Sequence, residues 1–436
     1  MIFCSGTCLM NDYTNQIDKY LRKLFPIARS ITGNGNRQTL KILQQIIPLE
    51  IIEYPSGLEV YDWVIPDEWN INDAWIKDSL GNKIIKFSDN NLHVVSYSTA
   101  VNMSIDYDEL IKRLHFIKEK PNAIPYRTSY YKKDWGFCIT YNQFKSLFKK
   151  NEKYHIFIDS SLIGGSLSLG ELNIKGKSDQ EYLISSYICH PSMANDSLSG
   201  VITSAFLAKY LLSIQSSLGF SYRFVFLPET IGPISYIYHN KSKIKKIRQG
   251  MVVTTCGGPG RFGYKKSVDS DNEINSMVED VFSSEGLDYI RYPFDIRGSD
   301  ERQYSSQGVG INCISIFKDK YYEYKEYHTS LDDLSFVKAE YINKTITIYI
   351  KLIAILDMNI TLVNNKPNCE PMLGRYGLYS QFGGDFLPTD KYSKVDLILW
   401  LLLYSDGETG LYSISKKLDI DINKLVNLHK SNNRIL

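Results

Sequence analysis

Four short apolar runs constrain this chain more than any other feature: "EYLISSYI" (181–188), "YRFVFLPE" (222–229), "GMVVTTC" (250–256) and "INCISIF" (311–317). Each has the length of a strand and ends in polar or turn-forming residues. Helix-like segments lie between and after them, over 197–216, 232–247, 272–286 and 336–356. Strands alternating with helices predict an α/β fold, with a mixed, mostly parallel sheet and flanking helices. In such a sheet, chemistry collects just outside the carboxyl ends of the strands.

The flanks differ in texture. Residues 12–27 place Ile17, Tyr20, Leu21, Leu24 and Phe25 at helical spacing, and Arg37–Ile47 resumes that stripe after a turn at Gly33 and Gly35. From about 51 to 165 the chain reads as short β-strands. Trp63, Trp69 and Trp75 fall there and suggest a small core of their own. A polar stretch with Pro367 and Pro371 precedes a tail that reads helix, turn, helix, helix. The expected layout is a discontinuous main domain (1–52 and 166–365), an inserted β-rich domain (53–165), a linker (366–390) and a small winged-helix-like domain (391–436).

Composition narrows the function classes. A net charge of +2 over 436 residues supplies no field for nucleic acid or an anionic membrane. The tail is likewise mixed in charge ("KKLDIDINKL") instead of carrying a basic stripe. Seven dispersed cysteines without a CxxC pair fit reduced thiols in a cytoplasm. The start lacks the pattern of a signal peptide, and "VDLILWLLLY" is too short to span a bilayer. A cytoplasmic protein is expected, with a homo-oligomer left open.

Four polar clusters sit at the ends of predicted strands: His190 with Asp196, then Glu229, then "RGSDERQY" (297–304), then "EYHTSLDDL" (326–334). His190, Asp196 and His328 offer the imidazole and carboxylate donors that zinc takes while leaving a position for water. Glu229 or Asp300 offers a general base or a further ligand. Each cluster also has an ordinary reading: Glu229 suits a helix N-terminus, and "HTSLDDL" suits a cap with Thr329 or Ser330 ahead of Asp332 or Asp333. All four fall in sequence order along one sheet, which favours the chemical reading.

These motifs, "CHPSMANDSLSG", "FLPETIGPISYI", "GSDERQY" and "EYHTSLDDL", resemble the zinc aminopeptidase-like hydrolases, which include leucyl-type aminopeptidases and, more distantly, glutaminyl cyclases. "RSITGNGNRQTL", "IPDEWNINDAWI" and "YSDGETGLYSIS" extend the resemblance to a bacterial branch with an inserted β-rich domain and a C-terminal winged helix. The resemblance implies a zinc exopeptidase-like fold. It implies His190, Asp196 and His328 as metal ligands, with a cis peptide after Asp196. It also implies Glu229 as general base and Asp300 as a second catalytic carboxylate near the substrate. Arg302, suited to a carboxylate or phosphate, and Glu301, suited to an amino group, are expected to face the substrate together with Tyr327. The pattern departs from the family at three points. Thr230 replaces a ligand glutamate, Ser192 replaces the aspartate that orients the first histidine, and "TTCGGPG" (254–260) lacks a ligand aspartate. The expectation is therefore one zinc ion. The implied reaction is hydrolysis of a peptide or N-acylated small substrate by metal-activated water. The alternative is an altered or inactive hydrolase scaffold that binds or regulates.

Overall fold

The computed structural model describes residues 12–378 and 391–432. The expectations for the extreme N-terminus, for the linker beyond 378 and for the last four residues lie outside the described residues. The chain forms two compact units, Met1–Ile350 and Lys351–Leu436.

The first unit is built on eight strands: β1 (Glu50–Pro55), β2 (Ser166–Ile174), β3 (Glu181–Tyr187), β4 (Ser221–Leu227), β5 (Ile247–Val252), β6 (Phe262–Lys265), β7 (Tyr289–Tyr292) and β8 (Asn312–Phe317). Their order across the sheet is β1-β2-β4-β3-β5-β8-β6-β7. The central strands β4, β3, β5 and β8 are parallel, and they are the four apolar runs of the sequence. β1 and β2 add on antiparallel at one side, and β6 is antiparallel to β8 at the other, so the sheet is mixed. A parallel strand covered on both faces needs apolar side chains throughout, and every residue of β3 and β4 is buried. The exceptions are satisfied internally. Ser186 donates to the Gly200 and Val253 carbonyls, and Ser185 shares a hydrogen bond with the Tyr304 hydroxyl. Arg223 of β4 is held between Glu171 and Glu181.

Between β1 and β2 the chain leaves this sheet and forms a second, antiparallel one. Its strands run in the order Lys83–Lys86, Glu68–Lys77, Lys153–Ile163, Val101–Asp106. The core of this insertion is aliphatic and phenylalanine-based, with Ile76, Ile85, Phe137, Ile139, Ile156 and Ile158 at its centre. The insertion thus has the small core of its own that its tryptophans suggested, but Trp63, Trp69 and Trp75 lie outside its centre. Trp69 packs with Tyr97, Leu167 and Tyr187 and donates from its indole to the Ser98 carbonyl at 2.9 Å. Trp75 stacks on Phe157 at the insertion's surface, and Trp63 is largely exposed. Alternation puts Trp75, opposite Phe157, on the face away from the small core, whereas Trp69, opposite Leu162, shares the core's face but lies beyond its end, in the neighbouring cluster.

In the second unit, helix Lys394–Tyr404 opens on a capping box between Ser393 and Asp396. Helices Leu411–Leu418 and Ile422–Ser431 follow, the latter capped by the Asp421 side chain. The segment read as a turn, Asp406–Gly410, is a strand pairing antiparallel with Thr361–Val363. Thr361–Val363 thus pairs within the C-terminal unit, although the sequence reading grouped it with the main domain. Among the described residues, no helix is long and apolar enough to cross a membrane.

Candidate metal centre

β3 delivers its last side chains to the upper edge of the sheet. Three residues beyond it lies His190, whose carbonyl accepts from Arg29 Nε at 2.9 Å. Arg29 is itself buried and also donates to the Leu24 carbonyl, so it ties the N-terminal helical region to this strand end. The chain then turns through Met193–Ser199 before helix Gly200–Ser213, and the Asp196–Ser197 peptide within the turn is cis. Asp332 holds the turn from the opposite side. Its carboxylate accepts the Asn195 N–H at 2.6 Å, the Asp196 N–H at 2.9 Å and the Tyr324 hydroxyl at 2.8 Å. Asn195 Oδ1 in turn accepts the Gly257 N–H at 2.9 Å. The "TTCGGPG" strand end, which lacks a carboxylate, therefore serves to brace the turn.

Asp196 is divided in function. Tyr187 donates its hydroxyl to Oδ1. Oδ2 faces two imidazoles, with His328 Nε2 at 3.0 Å and His190 Nε2 at 3.9 Å. Asp196 Oδ2 and His328 Nε2 are buried and, 3.0 Å apart, find no partner beyond each other. Buried polar atoms without partners are costly, and here they converge on one point. Burial pushes His190 down to about 4, against the pull of Asp196. Burial would raise Asp196, but His190, His328 and the Tyr187 hydroxyl overcome it and hold the carboxyl at about 2. A neutral imidazole beside an ionised carboxylate is the protonation state that a metal requires of its ligands. The donor set His190, Asp196 and His328 therefore fits a divalent cation of the zinc type.

Glu229 follows β4, and its Oε2 lies 4.0 Å from His190 Nε2. Its other oxygen accepts the Ser299 hydroxyl at 2.7 Å. Burial, reinforced by the charge of Asp196, raises this carboxyl to about 7. Thr230, in the place of a second glutamate, has φ of 66° and opens helix Ile231–His239. Its N–H is held by Asp300 Oδ1 at 2.8 Å. Ser192, in the place of an orienting aspartate, accepts from Asn91 at 2.9 Å instead. His190 Nδ1 then faces Cys189 Sγ at 3.4 Å.

His190, Glu229 and His328 open onto a cavity of about 400 Å³. The opposite wall comes from the insertion and includes Trp63, Tyr126, Tyr130 and Tyr131. Arg302 also lines it. The structure thus brings together His190, Asp196, Glu229, His328 and Arg302. Three expected site residues stand elsewhere. Asp300 is fully buried behind Thr230, and burial together with Glu229 raises its carboxyl well above the ordinary range. Glu301 is fully buried too: it accepts the Ser299 N–H at 3.0 Å and lies 4.0 Å from Lys265 Nζ, turned away from the cavity. Tyr327 stacks flat on the His328 ring, 3.9 Å between centroids, and so orients one imidazole of the candidate centre. The sequence reading missed Asp332, Tyr187 and Arg29, and gave Ser299 no role of its own although it lies in "GSDERQY". Asp332 had carried a signal only as a possible helix-capping residue in "HTSLDDL".

Comparison with known proteins agrees with this fold. Residues 18–359 match the family described as "Domain of unknown function (DUF4910)", and residues 360–434 match a winged helix-turn-helix family. A Clostridium acetobutylicum protein described as "Putative polysaccharide biosynthesis protein with aminopeptidase-like domain" is 42% identical over 412 residues, covering 94% of this chain and 93% of that one. A crystal structure of a "putative peptidase" from Clostridium acetobutylicum superposes with a TM-score of 0.82 at 40% identity, over 97% of this chain and 95% of that one. The zinc aminopeptidase BSAP of Bacillus subtilis shares the fold at 10% identity, with a TM-score of 0.56 over 79% of this chain and 94% of that one.

Proposed function

The chain belongs to the DUF4910 family and has a zinc-aminopeptidase fold, and from that premise we propose that it is a metal-dependent amide hydrolase in which Glu229 is the general base. The observation that carries this reading is the convergence of two imidazoles and one ionised carboxylate on a single buried point, with Glu229 4.0 Å from one of those imidazoles. We propose one zinc ion, held by His190, Asp196 and His328. Thr230 supplies no second ligand carboxylate, and "TTCGGPG" supplies none for the first. Bound there, zinc would polarise a scissile carbonyl and make water nucleophilic near neutral pH.

The chain's own residues account for the rest. A carboxyl that titrates near 7 can accept a proton from water and return it to the leaving amine at neutral pH. The Ser299 hydroxyl fixes one Glu229 oxygen and leaves the other toward His190. Tyr187 holds Asp196 so that Oδ2 alone faces the imidazoles. The aromatic wall excludes water from one side of the cavity and gives a substrate a flat apolar surface. The substrate class is a peptide or an N-acylated small molecule. The name of the Clostridium acetobutylicum relative, with its mention of polysaccharide biosynthesis, favours keeping acylated amino sugars in that class. A cytoplasmic setting is supported by the free buried thiols of Cys138, Cys189, Cys256 and Cys313.

Metal analysis of the purified protein tests the reading, with about one zinc per chain expected. Glu229→Gln should keep the metal and lose roughly 10²- to 10⁴-fold in amide hydrolysis. A protein that takes up no zinc through intact His190 and His328 overturns it. The loss of carboxylates at Thr230 and "TTCGGPG" also supports a second reading, a binding protein on a hydrolase scaffold. Zinc uptake without turnover of any amide would select that one.

A further inference from the structure

The charges around the cavity are unevenly assigned. Of the groups that reach it, His190 and His328 belong to the metal centre and Glu229 is the base. That leaves Arg302 as the one charged cavity residue without a role among the described residues. Its Nε is buried and has no hydrogen-bond partner, and no carboxylate forms a salt bridge with it among the described residues. Among the described residues its one hydrogen bond is a weak one, from Nη1 to the Ile296 carbonyl at 3.4 Å. The acids that could have received a substrate ammonium are elsewhere. Asp300 holds the Thr230 N–H, and Glu301 is buried against Ser299 and Lys265.

We infer that the cavity takes an N-acyl compound bearing a carboxylate, bound by Arg302, and discriminates against substrates with a free ammonium group. This rests on the hydrolase reading for what is cleaved, but not for what binds. With a divalent ion at His190, Asp196 and His328, the cavity carries net positive charge, so a substrate ammonium meets repulsion, and Glu229, the one carboxylate lining the cavity among the described residues, is already engaged as the base. A carboxylate meets a guanidinium whose Nε and a terminal nitrogen can donate side by side, satisfying the buried Nε. The rings of Trp63, Tyr126 and Tyr130 across the cavity give the remainder of such a molecule an apolar face. An aminopeptidase fold would here serve a substrate whose amino end is blocked.

The test is calorimetric binding to zinc-loaded Glu229→Gln protein, with N-acetyl-L-tyrosine, its carboxamide and L-tyrosinamide as probes. The acid should bind about tenfold or more tighter than the carboxamide, and the free amine weakest. Arg302→Met should abolish the preference for acid over carboxamide, with zinc content and circular dichroism unchanged, while Arg302→Lys should keep part of it. Equal binding of acid and carboxamide, absence of saturable acid binding, or an acid preference that survives Arg302→Met overturns the inference. The last result would put the anion on the metal. Failure of the hydrolase reading looks different: the acid binds through Arg302, but wild-type protein cleaves no amide.

Discussion

Asp332 offers the sharpest test of how the metal centre is held. It touches no substrate and is no proposed ligand, yet it is fully buried and receives the N–H groups of Asn195 and Asp196 and the Tyr324 hydroxyl. Asp332→Asn keeps the shape but one oxygen becomes an amide nitrogen, a donor set against a donor. One buried N–H then loses its partner, at a cost of about 1–3 kcal/mol. Part of this is offset because burial raises the native carboxyl to about 7, so its charge is itself disfavoured at neutral pH. A net loss of about 1 kcal/mol is expected, read as a lower urea midpoint in tryptophan fluorescence. Four of the five tryptophans (Trp63, Trp69, Trp75 and Trp135) lie in the first unit and report its unfolding. The larger effect should be on metal. The turn that carries Asp196 loses its brace, and outer partners of this kind typically contribute 10- to 100-fold to metal affinity. Competition against a chromogenic chelator measures that directly. A folded Asp332→Asn protein with zinc affinity within twofold of wild type would refute the bracing argument, whatever its urea midpoint.

Two further outcomes follow from buried charge. Arg223→Met removes the shared partner of Glu171 and Glu181, although Lys243 and Tyr236 still reach Glu171 and Lys175 and Asn173 still reach Glu181, and should cost about 3 kcal/mol in the same urea experiment; a loss below 1 kcal/mol refutes it. In chelator-stripped protein, Glu229 titrates at about 7 when folded against an ordinary 4.5, so the folded state holds its proton longer and this group's contribution falls as pH rises from about 4.5 to 7. Relative to wild type, stripped Glu229→Gln should therefore gain stability between pH 5 and pH 8, by up to about 3 kcal/mol. A difference that is flat with pH, or of opposite sign, removes the buried-carboxylate account.

The sequence announced what is local or periodic. β3, β4, β5 and β8 were legible because strands covered on both faces must be apolar along their whole length. His190, Asp196, Glu229 and His328 were legible because polar residues at the ends of such strands have few structural reasons to be there. Asp332 was not, because its partners are backbone amides more than a hundred residues away, and no side-chain pattern marks an amide. Glu301 and Arg302 are neighbours in sequence and were assigned one role. On the short helix Glu301–Tyr304 successive side chains point about 100° apart, so one is sealed inside while the other lines the cavity. The strand Asp406–Gly410 hid for the same reason as Asp332: its partner, Thr361–Val363, is remote in sequence.

The insertion belongs to the metal centre as much as the sheet does. His328 has a backbone φ of 53°, a region that a residue with a Cβ occupies at a cost of about 1–3 kcal/mol unless its surroundings hold it there. What holds it is the segment Ile124–Tyr126 of the insertion. The Tyr126 N–H donates to the His328 carbonyl at 2.9 Å, the Ser330 N–H donates to the Ile124 carbonyl at 2.9 Å, and the Ser330 hydroxyl accepts the Ile124 N–H at 3.0 Å. Pro125 forms a bridge with Thr329 between them. The Tyr126 ring then meets His328 edge-on at 5.2 Å and lies 5.3 Å from His190. One strand of chain therefore fixes the backbone of one proposed ligand, packs beside both imidazoles and faces the cavity. The insertion is thus more than a module appended to a finished domain, because without residues 124–126 the His328 carbonyl loses its hydrogen bond and Ser330 beside it loses two.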